Sequence, residues 1–235
     1  MRLLSAFAIG AFSLPLAAYA ADPHSYAQPD QVRVTHLDLD LKIDFPHKQL
    51  DGVATLKLDW KDPKAQALVL DTRDLKIAKV EAVDGAGKAT VLKYALAPAD
   101  KQLGSKLTIQ APQHPAQVRI AYVTAPTASG LQWLTPEQTA DKKAPFMFSQ
   151  SESIHARSWV PLQDSPAIRF TYSAHVTAPK NVRVAMSALN DARHPLDGDF
   201  RFDQPHPIPS YLLAVAAGDI AAQETGPRSA VYAEP

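Results

Sequence analysis

The sequence predicts an all-β protein. Three observations carry that reading. Apolar residues recur at every second position in several separate segments. Twenty prolines stand against nine glycines, and proline ends elements and sits at sheet edges, so many short strands are expected. No long segment shows the three-to-four spacing of an amphipathic helix.

The elements follow in order. From Leu37 to Phe45 the apolar residues take every second position, while Asp38, Asp40, Lys42 and Asp44 take the other face, as in a half-buried strand. Val32 and Val34 sit on the opposite phase, which predicts a bulge near Thr35–His36. The stretch Pro46 to Gly52 is expected to turn the chain, and Ala54, Leu56, Leu58 and Trp60 then alternate as the second arm of a hairpin. Further strands are expected at Leu68–Leu70, at Leu75 to Val83 with a turn over Asp84 to Lys88, at Val91–Leu96, at Leu107–Ile109 and through Val118, Ile120 and Tyr122. Alternation returns from Ile168 to Val176 and from Val182 to Ala188. Tyr211 to Gly218 is a continuous apolar run, read as a strand buried on both faces. About ten strands in all point to packed sheets. Gly226 to Pro235 reads as a strand that opens after a Gly-Pro break and is not completed, which suggests a truncated chain or a missing second domain.

Length and composition narrow the function. The 235 residues fit one large domain or two small ones. Lys and Arg number 24 and Asp and Glu number 24, a balance that argues against a nucleic-acid partner. Residues 1–20 have an early Arg2, an apolar run and an Ala18-Tyr19-Ala20 ending, the layout of a signal peptide cleaved after Ala20. The run contains Ser13 and Pro15 and is short for a membrane span, so a periplasmic or secreted chain without a membrane partner is expected. The absence of cysteine removes thiolate zinc ligands and a cysteine nucleophile.

The chemical inventory is sparse. None of the eight histidines has a His partner four residues away, and H-E-x-x-H, G-x-S-x-G and phosphate-loop glycine spacings are all missing. His36 and His175 lie in strand patterns and read as structural. The densest polar stretch is Phe148 to Pro166, "FSQSESIHARSWVPLQDSP", which gathers Glu152, His155, Arg157 and Asp164. Nothing in its spacing makes a metal site or a nucleophile. On the residues alone, Asp164 turns the chain before Pro166 while His155 and Arg157 make structural hydrogen bonds.

That stretch, with "LQWLTPEQT" (Leu131 to Thr139) before it and "HPIPSYLLAVAAG" (His206 to Gly218) and "GPRSAVY" after it, resembles the gluzincin, or M1, zinc aminopeptidase family. The likeness is greatest to its leukotriene-hydrolase-like branch, which includes bacterial cold-active aminopeptidases. It runs from about Val32 onward and is strongest from Leu131. It implies an N-terminal saddle-like β-sheet or β-sandwich domain over residues 21–225, with residues 226–235 opening a truncated thermolysin-like catalytic domain. The family's G-x-M-E-N segment, H-E-x-x-H motif, further zinc-ligating glutamate and catalytic tyrosine are not in this chain. The resemblance therefore implies zinc in the full-length enzyme, none bound by this chain, and no catalytic residue here.

It also implies two substrate-binding residues, Gln150 and Glu152, on a strand that reaches the cleft of the missing catalytic domain. A carboxylate suits the grip on a peptide's α-ammonium group, and an amide can add orientation. The leukotriene hydrolase branch carries glutamine at the place of Glu152 and aminopeptidases commonly carry glutamate, so peptide-amine recognition is favoured over epoxide hydrolysis. His155, Arg157 and Asp164 are then scaffold. The rival reading is a stand-alone β-sandwich binding module.

Overall fold

The computed structural model describes residues 22–235; the expected signal peptide and its cleavage point lie outside them. Sixteen strands are formed among the described residues, with three short 3-10 turns and no longer helix. The all-β expectation holds, with more and shorter strands than the alternation alone suggests.

The largest sheet is built on the hairpin of β1 (Val32–Asp44) and β2 (Gln49–Trp60). It also holds β4 (Lys76–Val83), β5 (Ala89–Val91), β8 (Gln117–Val123), β11 (Arg169–Thr177) and β13 (Asp199–Pro209), in the order β13-β11-β1-β2-β8-β4-β5. All its pairings are antiparallel except β1 with β11. The register puts Leu37 beside Leu56 and Tyr172, and Leu39 beside Ala54 and Ala174, so their side chains share one buried face. The opposite face carries Asp38, Asp40, Thr55 and His175 and meets water, the usual division of an antiparallel sheet. The expected bulge is present as a register shift between Val34 and His36.

Three smaller sheets complete the molecule. One contains β3 (Ala67–Thr72), β6 (Tyr94–Leu96) and β7 (Ser105–Gln110). A second contains β9 (Leu131–Leu134), β10 (Phe146–Ser149), β12 (Arg183–Met186) and β14 (Val215–Gly218), in the order β12-β14-β10-β9. Leu68, Ile109, Met147, Val215 and Ala217 from these two join the large sheet's apolar face in a single core. The third is a hairpin of β15 (Ala221–Gly226) and β16 (Ser229–Ala233).

Several local expectations are corrected. The first turn is shorter than Pro46 to Gly52, with Lys48 at φ 53° and β2 already under way at Gln49. Gly52 is a strand residue: a Cβ there would lie 2.4 Å from Cζ of Tyr122, so the ring's close approach to the backbone, not a turn, explains the glycine. Val91–Leu96 is not one strand but two, since β5 pairs with β4 while β6 pairs with β7 in another sheet. Tyr211–Gly218 is not a continuous strand. Ser210–Leu212 forms a 3-10 turn with Leu212 exposed, and only Val215–Gly218 pairs. Ser229–Ala233, read as an uncompleted strand, has a partner in Ala221–Gly226. The prolines at 205, 207 and 209 lie on β13, an edge strand, where a missing N–H breaks no ladder.

One side chain extends the large sheet. β11 pairs with β1 only from His36 onward. Upstream of that point the Gln163 amide takes the neighbour's place, accepting from the Val34 N–H at 2.9 Å and donating to the Val32 carbonyl at 2.9 Å. The loop that precedes β11 is thereby fixed to the start of β1.

Candidate functional site

Gln150 and Glu152 lie just past β10, not on a strand as expected. β10 ends at Ser149, and the chain then folds through a loop into a 3-10 turn over Ala156–Ser158. The reason is local. Ser151 is buried, donates its hydroxyl to the Leu213 carbonyl at 2.6 Å and accepts the Trp159 indole N–H at 3.1 Å. Its own carbonyl takes the His155 N–H at 2.9 Å, which closes the turn. Upstream, the Gln150 N–H donates to the Gly130 carbonyl at 2.9 Å. The buried Ser151 thus forces its two neighbours outward, and both Gln150 and Glu152 are exposed.

The two are linked but not equivalent. The Glu152 N–H donates to Oε1 of Gln150 at 3.2 Å, so the amide oxygen is spent on the backbone and its NH2 group is left for other partners. The Glu152 carboxylate makes no ion pair or side-chain hydrogen bond among the described residues. It lines a cavity of about 400 Å³ with Asp22, His24, Ile154, Pro166 and Tyr211. Gln150 does not line that cavity.

His155, Arg157 and Asp164 form scaffold beneath the loop. Arg157 is fully buried, and its guanidinium Nε donates to Asp164 Oδ2 at 2.9 Å. Its Nη1 donates to the Leu103 carbonyl at 2.8 Å, and its Nη2 to the carbonyls of His24 at 2.7 Å and Asp164 at 3.0 Å. Asp71 lies 3.7 Å away and receives the Asp164 N–H at 2.9 Å and the Tyr26 N–H at 2.7 Å. Asp164 also accepts the Ser210 hydroxyl at 2.6 Å. One cation therefore ties the Glu152 loop to the segment of Asp22 and His24 that forms the opposite wall of the cavity. Burial pushes the Asp71 carboxyl above its usual range, against the lowering by Arg157 and the hydrogen bonds from Ser25, Tyr26 and Asp164.

His155 is held neutral. Its Nδ1 faces the Arg73 guanidinium at 3.1 Å and the Ser129 hydroxyl at 2.8 Å, and a ring nitrogen that accepts from an arginine carries no proton. Burial, and then the Arg73 charge, lower its pKa. The unfolded chain therefore takes up a proton near pH 6.5 that folded His155 refuses, and stability falls as pH drops below that value. Urea unfolding between about pH 7 and pH 5 is expected to show this decline, with a smaller decline in His155→Gln. A wild type–variant difference that stays constant over that range would contradict it.

Three cavity-lining residues, Asp22, His24 and Tyr211, have no signal in the sequence, because each belongs to a segment distant in the chain from Glu152. Asp71 is a similar case. It ends an apolar strand, and a carboxylate there with buried neighbours on both sides, Leu70 and Thr72, is the one local hint of a buried partner. Among the described residues no group of three or more His, Cys, Asp or Glu side chains is placed to hold a metal ion.

Comparison with known proteins supplies the remaining context. Residues 33–212 match the family description Peptidase M1 N-terminal domain. A leukotriene A-4 hydrolase of Xenopus laevis is 37% identical over 224 residues, which is 91% of this chain and 36% of that protein. A leucine aminopeptidase 2 of Pyricularia oryzae is 37% identical over 226 residues, 92% of this chain and 36% of its own length. The native leukotriene A4 hydrolase structure from Saccharomyces cerevisiae superposes with a TM-score of 0.82 at 32% identity, covering 94% of this chain and 34% of that one. An M1 zinc metallopeptidase from Deinococcus radiodurans shares the fold, with a TM-score of 0.65 at 21% identity over 89% of this chain and 48% of its own. The chain thus spans about a third of the length of the curated relatives it matches.

Proposed function

The chain belongs to the M1 peptidase family, whose N-terminal domain it carries, and on that premise we propose that it is the substrate-recognition part of an exported zinc aminopeptidase. In this reading Glu152 anchors the α-ammonium group of a peptide, and the free NH2 of Gln150 offers an orienting donor beside it. The observation that carries it is the exposed Glu152 carboxylate, unpaired among the described residues, beside a cavity of about 400 Å³ on a loop whose base is buried. A carboxylate with no internal cation is available for an external one, and a charge-assisted bond to an ammonium is stronger than a neutral one.

Zinc belongs to the longer protein in this proposal, with its ligands outside the described residues. The contribution of this chain is to bind and orient. Without that further part it turns over no substrate. Export rests on the layout of residues 1–20.

The experiment is kinetic and uses the full-length enzyme. A single charge-assisted hydrogen bond contributes about 1.5–3 kcal/mol, so Glu152→Ala is expected to lower kcat/KM for aminoacyl substrates about ten- to a hundredfold. Glu152→Gln should fall between wild type and Glu152→Ala. Unchanged kinetics in Glu152→Ala would remove the assigned role. A reading frame that continues beyond Pro235 without H-E-x-x-H would replace the proposal with a stand-alone binding module.

A further inference from the structure

The sheet of β3, β7 and β6 ends in edges of two kinds. On the β3 side, Asp71 and Leu162 exchange main-chain hydrogen bonds at 2.8 and 3.4 Å, so that edge is covered in part. On the β6 side no strand of the described residues follows. The bonds that β6 does make show which of its groups are left over. The Gln110 N–H donates to the Lys93 carbonyl and the Ala97 N–H to the Lys106 carbonyl, both at 2.9 Å. Hydrogen-bonded pairs alternate along an antiparallel ladder, so Lys93, Ala95 and Ala97 turn their main chain toward β7, while Tyr94 and Leu96 turn theirs away. The N–H and C=O groups of Tyr94 and Leu96 have no partner among the described residues. Lys93, Tyr94, Ala95 and Leu96 are all exposed, so no other segment covers this edge.

The side chains end at the same gap. The register makes two apolar rows across the sheet, Leu70–Leu107–Leu96 and Leu68–Ile109–Tyr94. Leu68, Leu70, Leu107 and Ile109 are fully buried, whereas Leu96 and Tyr94, at the rim, remain 45% and 39% exposed. The Tyr94 hydroxyl donates to the Ile77 carbonyl at 3.1 Å, which holds the ring in place and leaves the edge open. The edge strand β13 is guarded by its prolines. β6 has none, and its shortness is its one defence against a further strand.

We propose that a second copy of this chain pairs with β6, antiparallel about a dyad at Ala95. Tyr94 then lies opposite Leu96 of the partner subunit, and the two exchange N–H to C=O bonds. The dyad repeats the exchange with the roles reversed, so every main-chain group left over at this edge is used. The apolar rows favour a second copy over any other strand. Under this dyad the row Leu70–Leu107–Leu96 runs on into the partner's Tyr94, the partner's Ile109 and the partner's Leu68, so the two sheets become one with a continuous apolar face. A contact of this isologous kind closes on itself as a dimer and leaves no further edge at β6. The pairing does not depend on the function proposed above.

Sedimentation velocity of the full chain, up to about 100 μM, is expected to show a concentration-dependent monomer–dimer equilibrium. Leu96→Pro removes one outward N–H from each copy and no bond to β7, and Leu96→Lys places a charge in the apolar row. Each should weaken the dimer by more than about tenfold and keep the circular dichroism spectrum of the wild type. Val231→Lys changes an apolar residue of β16 that is 54% exposed, and it should leave the dimer intact, which separates strand pairing from general stickiness. A synthetic peptide of residues 91–97 should compete with the second copy and dissociate the dimer. A chain that stays monomeric, a dimer that survives Leu96→Pro, or one that Val231→Lys weakens equally would overturn the proposal. So would binding of a Thr-Val repeat peptide as tight as that of the 91–97 peptide, which would assign the edge to extended polypeptide in general.

Discussion

Replacing Arg157 by methionine is expected to lower the unfolding free energy by about 3–5 kcal/mol at neutral pH. Methionine keeps most of the length and removes the charge. The side chains of Arg157, Asp71 and Asp164 are all fully buried, so the variant leaves two carboxylates without their cation. The carbonyls of Leu103 and His24 lose their donors in the same step. The effect is pH-dependent, and its sign follows from Asp71. Burial already raises that carboxyl, and the Arg157 charge is the largest influence drawing it down. Without Arg157 the folded variant holds a proton on Asp71 that the unfolded chain releases near pH 3.8. Stability of the variant therefore falls as pH rises above that value, and the penalty is smaller at about pH 5 than at pH 8. Urea denaturation at the two pH values measures both quantities. A penalty below about 1 kcal/mol, or one that grows toward acid, would contradict this account.

Trp159→Ala is expected to cost about 3–5 kcal/mol as well, for a different reason. Trp159 is fully buried and packs so tightly that a Cβ on Gly130 would sit 3.1 Å from its Cδ1. Truncation leaves a cavity that the surrounding strands cannot fill. It also removes the indole donor from Ser151, the residue that turns Gln150 and Glu152 outward. Trp159→Phe separates the two contributions. It loses the N–H with only part of the ring volume, so it should cost about 1–2 kcal/mol. Chemical denaturation of both variants gives the comparison, and equal losses would show that the hydrogen bond, not the packing, dominates.

The long strands of the large sheet were legible because one face is buried and the other wet. Leu37, Leu39 and Leu41 against Asp38 and Asp40 state the period directly, and the phase change at Val32 and Val34 locates the bulge. The sheet that carries the site was not legible. β9 and β10 are four residues each, too short for a period to show, and β10 ends one residue before Gln150. Gly52 was misread because glycine marks turns and close backbone approach equally well, and only Tyr122 across the sheet decides between them. The run Tyr211–Gly218 looked like a buried strand because apolarity alone does not reveal the 3-10 turn that follows Pro209. For the candidate site, Gln150 and Glu152 came from resemblance, whereas a structural role for Arg157 and Asp164 was already readable from the residues. The walls from Asp22, His24 and Tyr211, and the third member of the buried charge cluster, Asp71, depend on contacts between distant segments. No local pattern encodes those.

The parallel pairing of β1 with β11 has a consequence for how the domain forms. β1 meets β2 at once through a short turn, but its other neighbour arrives 135 residues later, as in the pairing of His36 with Thr171. Contacts of that span are slow to close, because a long loop must be ordered before they return anything. Until Thr177 has left the ribosome, β1, an inner strand of the finished sheet, presents an open edge able to recruit another chain. The loop of Gln150 and Glu152 lies inside this crossover, so it is caught between two strands that meet late, and its final shape is set among the last events of folding.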